Sequence, residues 1–400
     1  MRVALINNMN NCFFAITRHL RDHGIDAHLF VQGDVPDHFH PRADTSSEEY
    51  KSYTHAYDWC GPENLKEEMI TTIKQDLEGF DFLIGCGDAP AFLKMAGINL
   101  DIFIPYGSDM YHLPFFQMSH PKRIMSNLRL RKYQRLGIKS AKTLWFEPSH
   151  NFQNHATKIG CSNPIVMSCI PTIYTAPNDT GQKIDADTEE WLKKFKAIRE
   201  NNEIVIFHHI RHCWTSKSDA NSLKGNDILL KGFKRFIAEN PQISAKLVTF
   251  EYGEDVADSK KLIKDLGIEE NVEWSDKMPR KAIMLAMQYC DIGVAELFVS
   301  YMTYGAIGEF MANKLSIIAK REDELYDEHY EELYPLYNVR TPSDISAALS
   351  DALEHKQNKS SKSMGELSSQ WYKKFMIDEP LCNIIQLINN KNSDFRTIQE

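Results

Sequence analysis

No stretch of this chain approaches the roughly 18 uninterrupted apolar residues of a membrane span, which restricts any membrane association to the surface. The opening MRVALINNMNNC has one Arg and a strand-length apolar run before it meets paired Asn, short of the ~7–15 apolar residues of a secretory signal, so a cytoplasmic location is expected. Cysteine is present but unpaired in pattern. Its eight positions, Cys12, Cys60, Cys86, Cys161, Cys169, Cys213, Cys290 and Cys382, include no C-x-x-C, and several sit in apolar runs as small hydrophobes, which argues against zinc and redox chemistry. A basic excess is also lacking. With 46 Lys and Arg against 55 Asp and Glu the net charge is -9, unlike a nucleic-acid binder that must displace counterions from phosphates. Only 19 Gly and 16 Pro in 400 residues exclude a fibrous or low-complexity chain. There is no G-x-x-x-x-G-K-[ST], and GCGDAP (85–90) has Pro where a dinucleotide fingerprint needs its third Gly, so no nucleotide cofactor and no P-loop are expected.

What the chain does have is 42% apolar residues, enough for two domain cores, arranged as short apolar runs alternating with amphipathic stretches. Strands are expected at 3–6, 27–31, 80–86, 102–105, 141–146 and 164–169, with helices at 12–23, 65–77, 89–96 and 150–159 between them. The polar, His-rich stretch 34–62 reads as a long insertion or mobile loop. A charged linker over 174–202 leads into a second series, with strands at 203–208, 245–250, 272–274, 292–295 and 315–319 and helices at 228–239, 259–266, 281–289, 304–312 and 342–354. The fold class is therefore α/β, with two Rossmann-like doubly wound domains. Ligands of such sheets bind beyond the carboxyl ends of the strands, so two facing domains would enclose a cleft.

Two groups invite a metal reading and carry it poorly. The DAD at 185–187 lies in the polar linker with no strand before it, and HHIRH (208–212) follows a strand, so it lacks the i, i+4 helical spacing of H-E-x-x-H sites. No metal is expected. A stronger constellation stands in the second half: Arg211 after a strand, Lys224 at a helix entrance and Glu309 on a later helix. An Arg fork and a Lys point charge suit a diphosphate, and a carboxylate can accept both hydroxyls of a ribose. Taken singly, Arg211 and Lys224 read first as solvated surface cations and Glu309 as one more helix-face acid.

Together these segments resemble the glycosyltransferases of GT-B fold, in particular the retaining enzymes of glycosyltransferase family 4, over nearly the whole length. That family has a strand ending in Arg followed by KG-x-D-x-L-L-x-x-F, similar to Arg211 and KGNDILLKGF (224–233) here. AKLVTFEYGED, KKLIKDLGIEENVEW and AMQYCDIGVAE look like the strands and helices that follow. The E-x7-E signature ending in Glu-Ala-Met-Ala is similar to Glu309-Phe310-Met311-Ala312, which maps the ribose ligand to Glu309. Its first Glu falls at Tyr301, so either Tyr301 or Ser300 would take over the donor sugar, or an unusual sugar is bound. Gly305 stands one place later than the family's glycine, and HCWTSKSDANSL (212–223) is an enlarged loop. The resemblance implies a donor side of Arg211, Lys224, Tyr252, Lys277, Met278, Ser300, Tyr301, Thr303, Tyr304, Gly305 and Glu309, with Arg211, Lys224 and Glu309 catalytic. Its acceptor side is Asn10 and Asn11 after the first strand, Tyr106, Ser108 and Asp109 in IPYGSD, and His150 beside Ser149. The implied domains are an acceptor domain over 1–173, a donor domain over 174–375 and a segment over 376–400 that crosses back to the first.

From Met110 to Phe146 there is no acid, while Lys122, Arg123, Arg129, Arg131, Lys132, Arg135, Lys139 and Lys142 all occur. Met125, Leu128, Tyr133 and Leu136 interleave with them at helical spacing. The 122–142 segment is either a helix packing that apolar side on its own domain or a peripheral contact with an anionic membrane, beside which LPFFQM (113–118) would insert. The function implied is a metal-independent retaining transfer from a UDP- or GDP-linked sugar to a glycan or lipid-linked glycan, as in bacterial surface polysaccharide biosynthesis. A GT-B nucleotide-sugar hydrolase or epimerase, and a non-catalytic GT-B subunit, are the alternatives. The oligomeric state is open.

Overall fold

Each short apolar run closes into a parallel strand, and the computed structural model describes residues 1–33, 35–115, 124–148, 150–175, 184–215, 223–300, 302, 305–358 and 363–399. The chain divides into two units, Met1–Thr180 with Phe375–Glu400, and Gly181–Lys374.

The first unit holds β1 (Arg2–Ile6), β2 (Asp26–Gln32), β3 (Thr54–Tyr57), β4 (Phe82–Gly85), β5 (Ile102–Phe103), β6 (Thr143–Phe146) and β7 (Ile165–Met167), hydrogen-bonded in the order β3-β2-β1-β4-β5-β6-β7. The second holds β8 (Ile204–His208), β9 (Ala245–Phe250), β10 (Val272–Ser275), β11 (Ile292–Val294), β12 (Ser316–Ala319) and β13 (Tyr337–Asn338), ordered β10-β9-β8-β11-β12-β13. All pairs are parallel. In both sheets the chain starts at the centre, winds one way through three strands and then the other. The expected doubly wound α/β class is observed, and the strand order reverses beside β1 and beside β8, where ligands of such sheets bind. The central strands are buried on both faces, which is why they read as continuous apolar runs rather than alternating ones.

The reading of 34–62 as a loop is corrected. It holds short 3-10 turns and β3, which extends the sheet edge beside β2. Its polar composition hides Tyr50, Tyr53, Tyr57 and Trp59, all buried. Trp59 Nε1 donates to Asp76 Oδ2 at 2.7 Å, so each ring fills core while its polar edge finds a partner.

The basic helix Ile124–Ser140 is the second correction. Its packing side is Leu130, Gln134, Gly137 and Ile138, while Met125, Leu128 and Leu136 face solvent with Lys132 and Lys139. A Cβ on Gly137 would stand 2.0 Å from Pro90 O, so only glycine lets this helix close on Ala89–Met95. Tyr133 is half-buried against the core and does not share the exposed face. Lys122, Arg123 and residues 116–118 lie outside the described residues.

The helix Glu379–Gln399 belongs to the first unit. Lys391 Nζ lies 2.7 Å from both oxygens of the buried Asp101, which also takes Lys142 Nζ at 3.1 Å.

Candidate functional site

In the second unit, β8 ends in His208 and delivers His209, Ile210, Arg211 and His212 to the switch point. His208 Nδ1 donates to Val294 O at 2.9 Å and its Nε2 accepts from Asn226 Nδ2 at 2.9 Å. Burial pushes this imidazole down to about 3. His212 places its two ring nitrogens on Ser259 Oγ at 2.8 Å and Thr249 Oγ1 at 2.9 Å, and burial pushes it down to about 4. Both rings are neutral at pH 7, with every nitrogen engaged within the protein, so these two histidines serve as a polar scaffold rather than as open ligands.

Between them Arg211 is half-buried, its carbonyl 3.4 Å from Asn226 Nδ2, and its guanidinium has no partner among the described residues. Five N–H donors without a partner among the described residues are the chemistry an anion requires. The loop that follows is anchored by Asp255, whose carboxylate accepts from Trp214 N at 2.6 Å, Thr215 N at 2.8 Å and Thr215 Oγ1 at 2.9 Å. Residues 216–222 of the enlarged loop lie outside the described residues.

Lys224 re-enters with its N–H donating to Cys213 O at 2.7 Å, and Leu297 N donates to its carbonyl at 3.1 Å. Gly225 then takes φ 75°, where a Cβ would stand 2.9 Å from Leu297 Cβ, before the helix Asn226–Glu239 begins. Lys224 Nζ pairs with Glu296 at the end of β11, and both side chains are almost fully buried, 3% and 2% exposed. Sequence reading missed Glu296. The signal was there, because an acid within the apolar run DIGVAEL has to be paired if it is buried.

Glu309, on the helix Gly305–Ala312, is also buried and also engaged: Oε2 lies 2.5 Å from His209 Nε2, and Oε1 accepts from Arg280 Nε at 2.8 Å. Burial works to raise its carboxyl, and the charges and hydrogen bonds of His209 and Arg280 outweigh it and hold the group below its ordinary value. His209 and Arg280 were not among the residues expected here.

Tyr252 is exposed after β9, with Lys277 Nζ 4.8 Å above its ring. Met278 is buried, its sulfur 3.8 Å from Ser275 Oγ. Ser300 Oγ accepts from Glu322 N at 2.9 Å, so this hydroxyl ties down the 320s loop. Gly305 opens its helix with free space where a Cβ would be. Tyr301, Thr303 and Tyr304 lie outside the described residues. Asp185 of the DAD is a helix cap, accepting from Thr188 N at 2.8 Å, and its pairing with Lys281 and this cap hold its carboxyl down at about 2.

In the first unit the chain leaves β1 through Asn7, Asn10 and Asn11, all with positive φ (75°, 48° and 57°), a region asparagine tolerates better than other L residues do. Asn7 Nδ2 donates to Cys86 O at 2.7 Å, while its Oδ1 accepts from Gln32 Nε2 at 3.0 Å and from Tyr57 OH. Asn11 is fully buried and binds His38 O, His40 O and Asp44 Oδ1. Its amide therefore fastens the 34–62 segment rather than facing solvent, while Asn10 is exposed.

Asp109 is likewise fully buried. Its carboxylate accepts from Gly87 N at 2.9 Å, Tyr106 N at 3.1 Å and Gly107 N at 3.0 Å, joining the loops after β4 and β5. Gln134 of the basic helix completes the knot, donating to Gly87 O at 2.9 Å and Asp109 O at 3.1 Å. Tyr106 and Ser108 are exposed on the loop so held, and burial of its inner part raises the Tyr106 phenol. His150 opens its helix, and Ser149 lies outside the described residues.

Burial pushes the Asp109 carboxyl up to about 7, although its backbone hydrogen bonds pull the other way. An unfolded Asp ionises near pH 3.9, so between about pH 4 and 7 the folded chain holds one proton more than the unfolded chain, and stability falls as pH rises through that window. Asp109→Asn removes this contribution. Denaturant melts at about pH 4.5 and about pH 7 are expected to differ by roughly 3 kcal/mol less in the variant than in the parent, and an unchanged difference would show that Asp109 is ionised throughout.

The arrangement can now be set beside known proteins. No family model matches the chain, and no curated protein does. Solved structures do match. HepE of Anabaena, solved with UDP, superposes with a TM-score of 0.61 at 14% identity, covering 98% of this chain and 100% of its own. A glycosyltransferase from Rickettsia africae gives 0.63 at 11% identity, with 98% of each chain covered. WaaG, a glycosyltransferase of lipopolysaccharide biosynthesis, gives 0.52 at 12% identity over 94% of this chain and 96% of its own. The chain has the GT-B fold. At these identities the likeness carries the fold, and within the GT-B fold the two switch points described above are where the described polar residues collect.

Proposed function

We propose that the chain is a retaining glycosyltransferase that moves a sugar from a nucleotide diphosphate donor to a glycan or lipid-linked glycan acceptor. The observation that carries this reading is Arg211, half-buried three residues past the end of β8 at the switch point, with a guanidinium unpartnered among the described residues. HepE, which shares the fold, has been solved with UDP and with UDP-glucose, which supports a nucleotide-sugar donor.

Breaking the donor's sugar–phosphate bond builds negative charge on the leaving diphosphate. Arg211 faces that charge with preorganised donors, and Lys224, whose own charge is balanced by Glu296, sets the floor beneath it. The acceptor hydroxyl passes its proton to the leaving phosphate, so the reaction needs neither a metal nor a separate base. Tyr106, Ser108 and Asn10 are the exposed groups of the acceptor side, and Asp109 and Asn11 hold the loops that present them. The test is product analysis with UDP- and GDP-linked sugars and an undecaprenyl-phosphate sugar acceptor. Proton NMR is expected to show the donor's anomeric configuration kept in a new glycoside. Free sugar alone would point to the hydrolase.

The exposed face Met125, Leu128, Lys132, Leu136 and Lys139 supports a place for this transfer at an anionic bilayer, with apolar side chains to insert and cations to meet headgroups. Co-sedimentation with vesicles of phosphatidylcholine and phosphatidylglycerol is expected to retain the parent protein and to lose Met125→Glu/Leu128→Glu by about tenfold. Equal retention of both would remove this face from the account.

A further inference from the structure

Glu309 is the group the donor reading assigns to the ribose, yet it does not stand alone. One N–H reaches each of its oxygens, His209 Nε2 at 2.5 Å on Oε2 and Arg280 Nε at 2.8 Å on Oε1. An ionised carboxylate has about four lone-pair positions, two on each oxygen. Two are used within the protein, which leaves one on each oxygen, the number that the two neighbouring hydroxyls of a ribose require. The terminal torsion of a Glu side chain is broad, so a carboxylate pinned on one side only would swivel. Here the pins come from two different elements, the end of β8 and the start of the helix Arg280–Ala286.

The His209 ring is itself fixed, with ring centroids 5.2 Å from Phe207, 5.4 Å from Phe310 and 6.4 Å from Phe250. Because its Nε2 faces an ionised carboxylate, that nitrogen carries the hydrogen. Nδ1 is buried and has no hydrogen-bond partner among the described residues. A buried polar atom without a partner weakens the fold, and a phenylalanine in this aromatic slot would avoid the penalty. Of the two ring nitrogens only Nε2 has a partner among the described residues, and that partner is Glu309.

We propose that His209 and Arg280 are positioning residues that aim the Glu309 carboxylate at the ribose hydroxyls of the nucleotide. The proposal rests on the donor reading above, and the test separates the two. Calorimetric titrations of the full chain use UDP, 2′-deoxy-UDP and 3′-deoxy-UDP, with the corresponding guanosine series in parallel. The parent protein is expected to bind one series and to lose about tenfold or more in affinity for each missing hydroxyl, the scale of a hydrogen bond to a charged group. In His209→Ala and in Arg280→Met, checked for folding by circular dichroism, that loss is expected to shrink to under about threefold, because the hydroxyl no longer meets an oriented acceptor. His209→Gln, which returns an N–H near the Nε2 position, restores the discrimination. A merely structural role would lower the melting temperature and leave the hydroxyl penalty intact. Full discrimination retained in His209→Ala, or none in the parent protein, overturns the proposal. Failure of the parent to bind either diphosphate overturns the donor reading itself.

Discussion

Arg211→Glu is expected to abolish the binding of nucleoside diphosphates, and Arg211→Ala to weaken it by roughly 100- to 1,000-fold. A guanidinium gives a phosphate two parallel charge-assisted bonds, each worth about 1.5–3 kcal/mol, and the second guanidinium described at this site, Arg280, is engaged with Glu309. Lys224 is nearby in sequence but directs its ammonium to Glu296, and the neighbouring His208 and His212 are neutral. Turnover should fall by a similar factor, because the charge that Arg211 meets is larger in the transition state than in the bound donor. Arg211→Lys keeps the charge and loses the fork, so it should recover a part of the affinity and little of the rate. Isothermal titration with UDP and GDP, and initial rates with the matching sugar donor, check both statements. Affinity unchanged in Arg211→Ala would place the diphosphate elsewhere.

Lys224→Met is expected to destabilise the second unit by about 3–5 kcal/mol, the scale observed when one partner of a buried ion pair is removed. Glu296 then stays in the interior without its cation. Replacing both, as Lys224→Met with Glu296→Leu, should return most of the stability, since a buried pair exchanged for apolar groups of similar volume is often neutral. The donor site is not expected to recover with it, because the ammonium proposed to form the floor of that site is absent. Thermal melts report the first effect and nucleotide titrations the second. A single variant as stable as the parent would mean that Lys224 and Glu296 are solvated, against their 3% and 2% exposure.

The positions of most strands and helices were legible in the sequence because burial on both faces leaves an unbroken apolar run, and amphipathic helices keep their period. β3 and β13 were not. THAY and YN are too short and too polar to show a pattern, and both are held at sheet edges by backbone pairing. In the candidate site, Arg211, Lys224 and Glu309 were readable as charges after strands or on a helix. Their partners were not, because Glu296, His209 and Arg280 lie 72, 100 and 29 residues from the groups they touch. The same distance hid the basic helix. Its exposed Met125, Leu128 and Leu136 looked like a packing stripe, and only the approach of Gly137 to Pro90 shows which side is the inner one. Asn11 and Asp109 were chosen for their loops, and the loops are where they act, from the inside.

The most direct test is a thermal-shift panel on the purified full chain with UDP, GDP, ADP and CMP, since a ligand that binds only the folded state raises the midpoint. One diphosphate is expected to raise it by several degrees at about 100 times its dissociation constant, with no shift in Arg211→Glu. A midpoint that none of the four nucleotides moves, or one that moves equally in Arg211→Glu, would contradict a donor site built on Arg211.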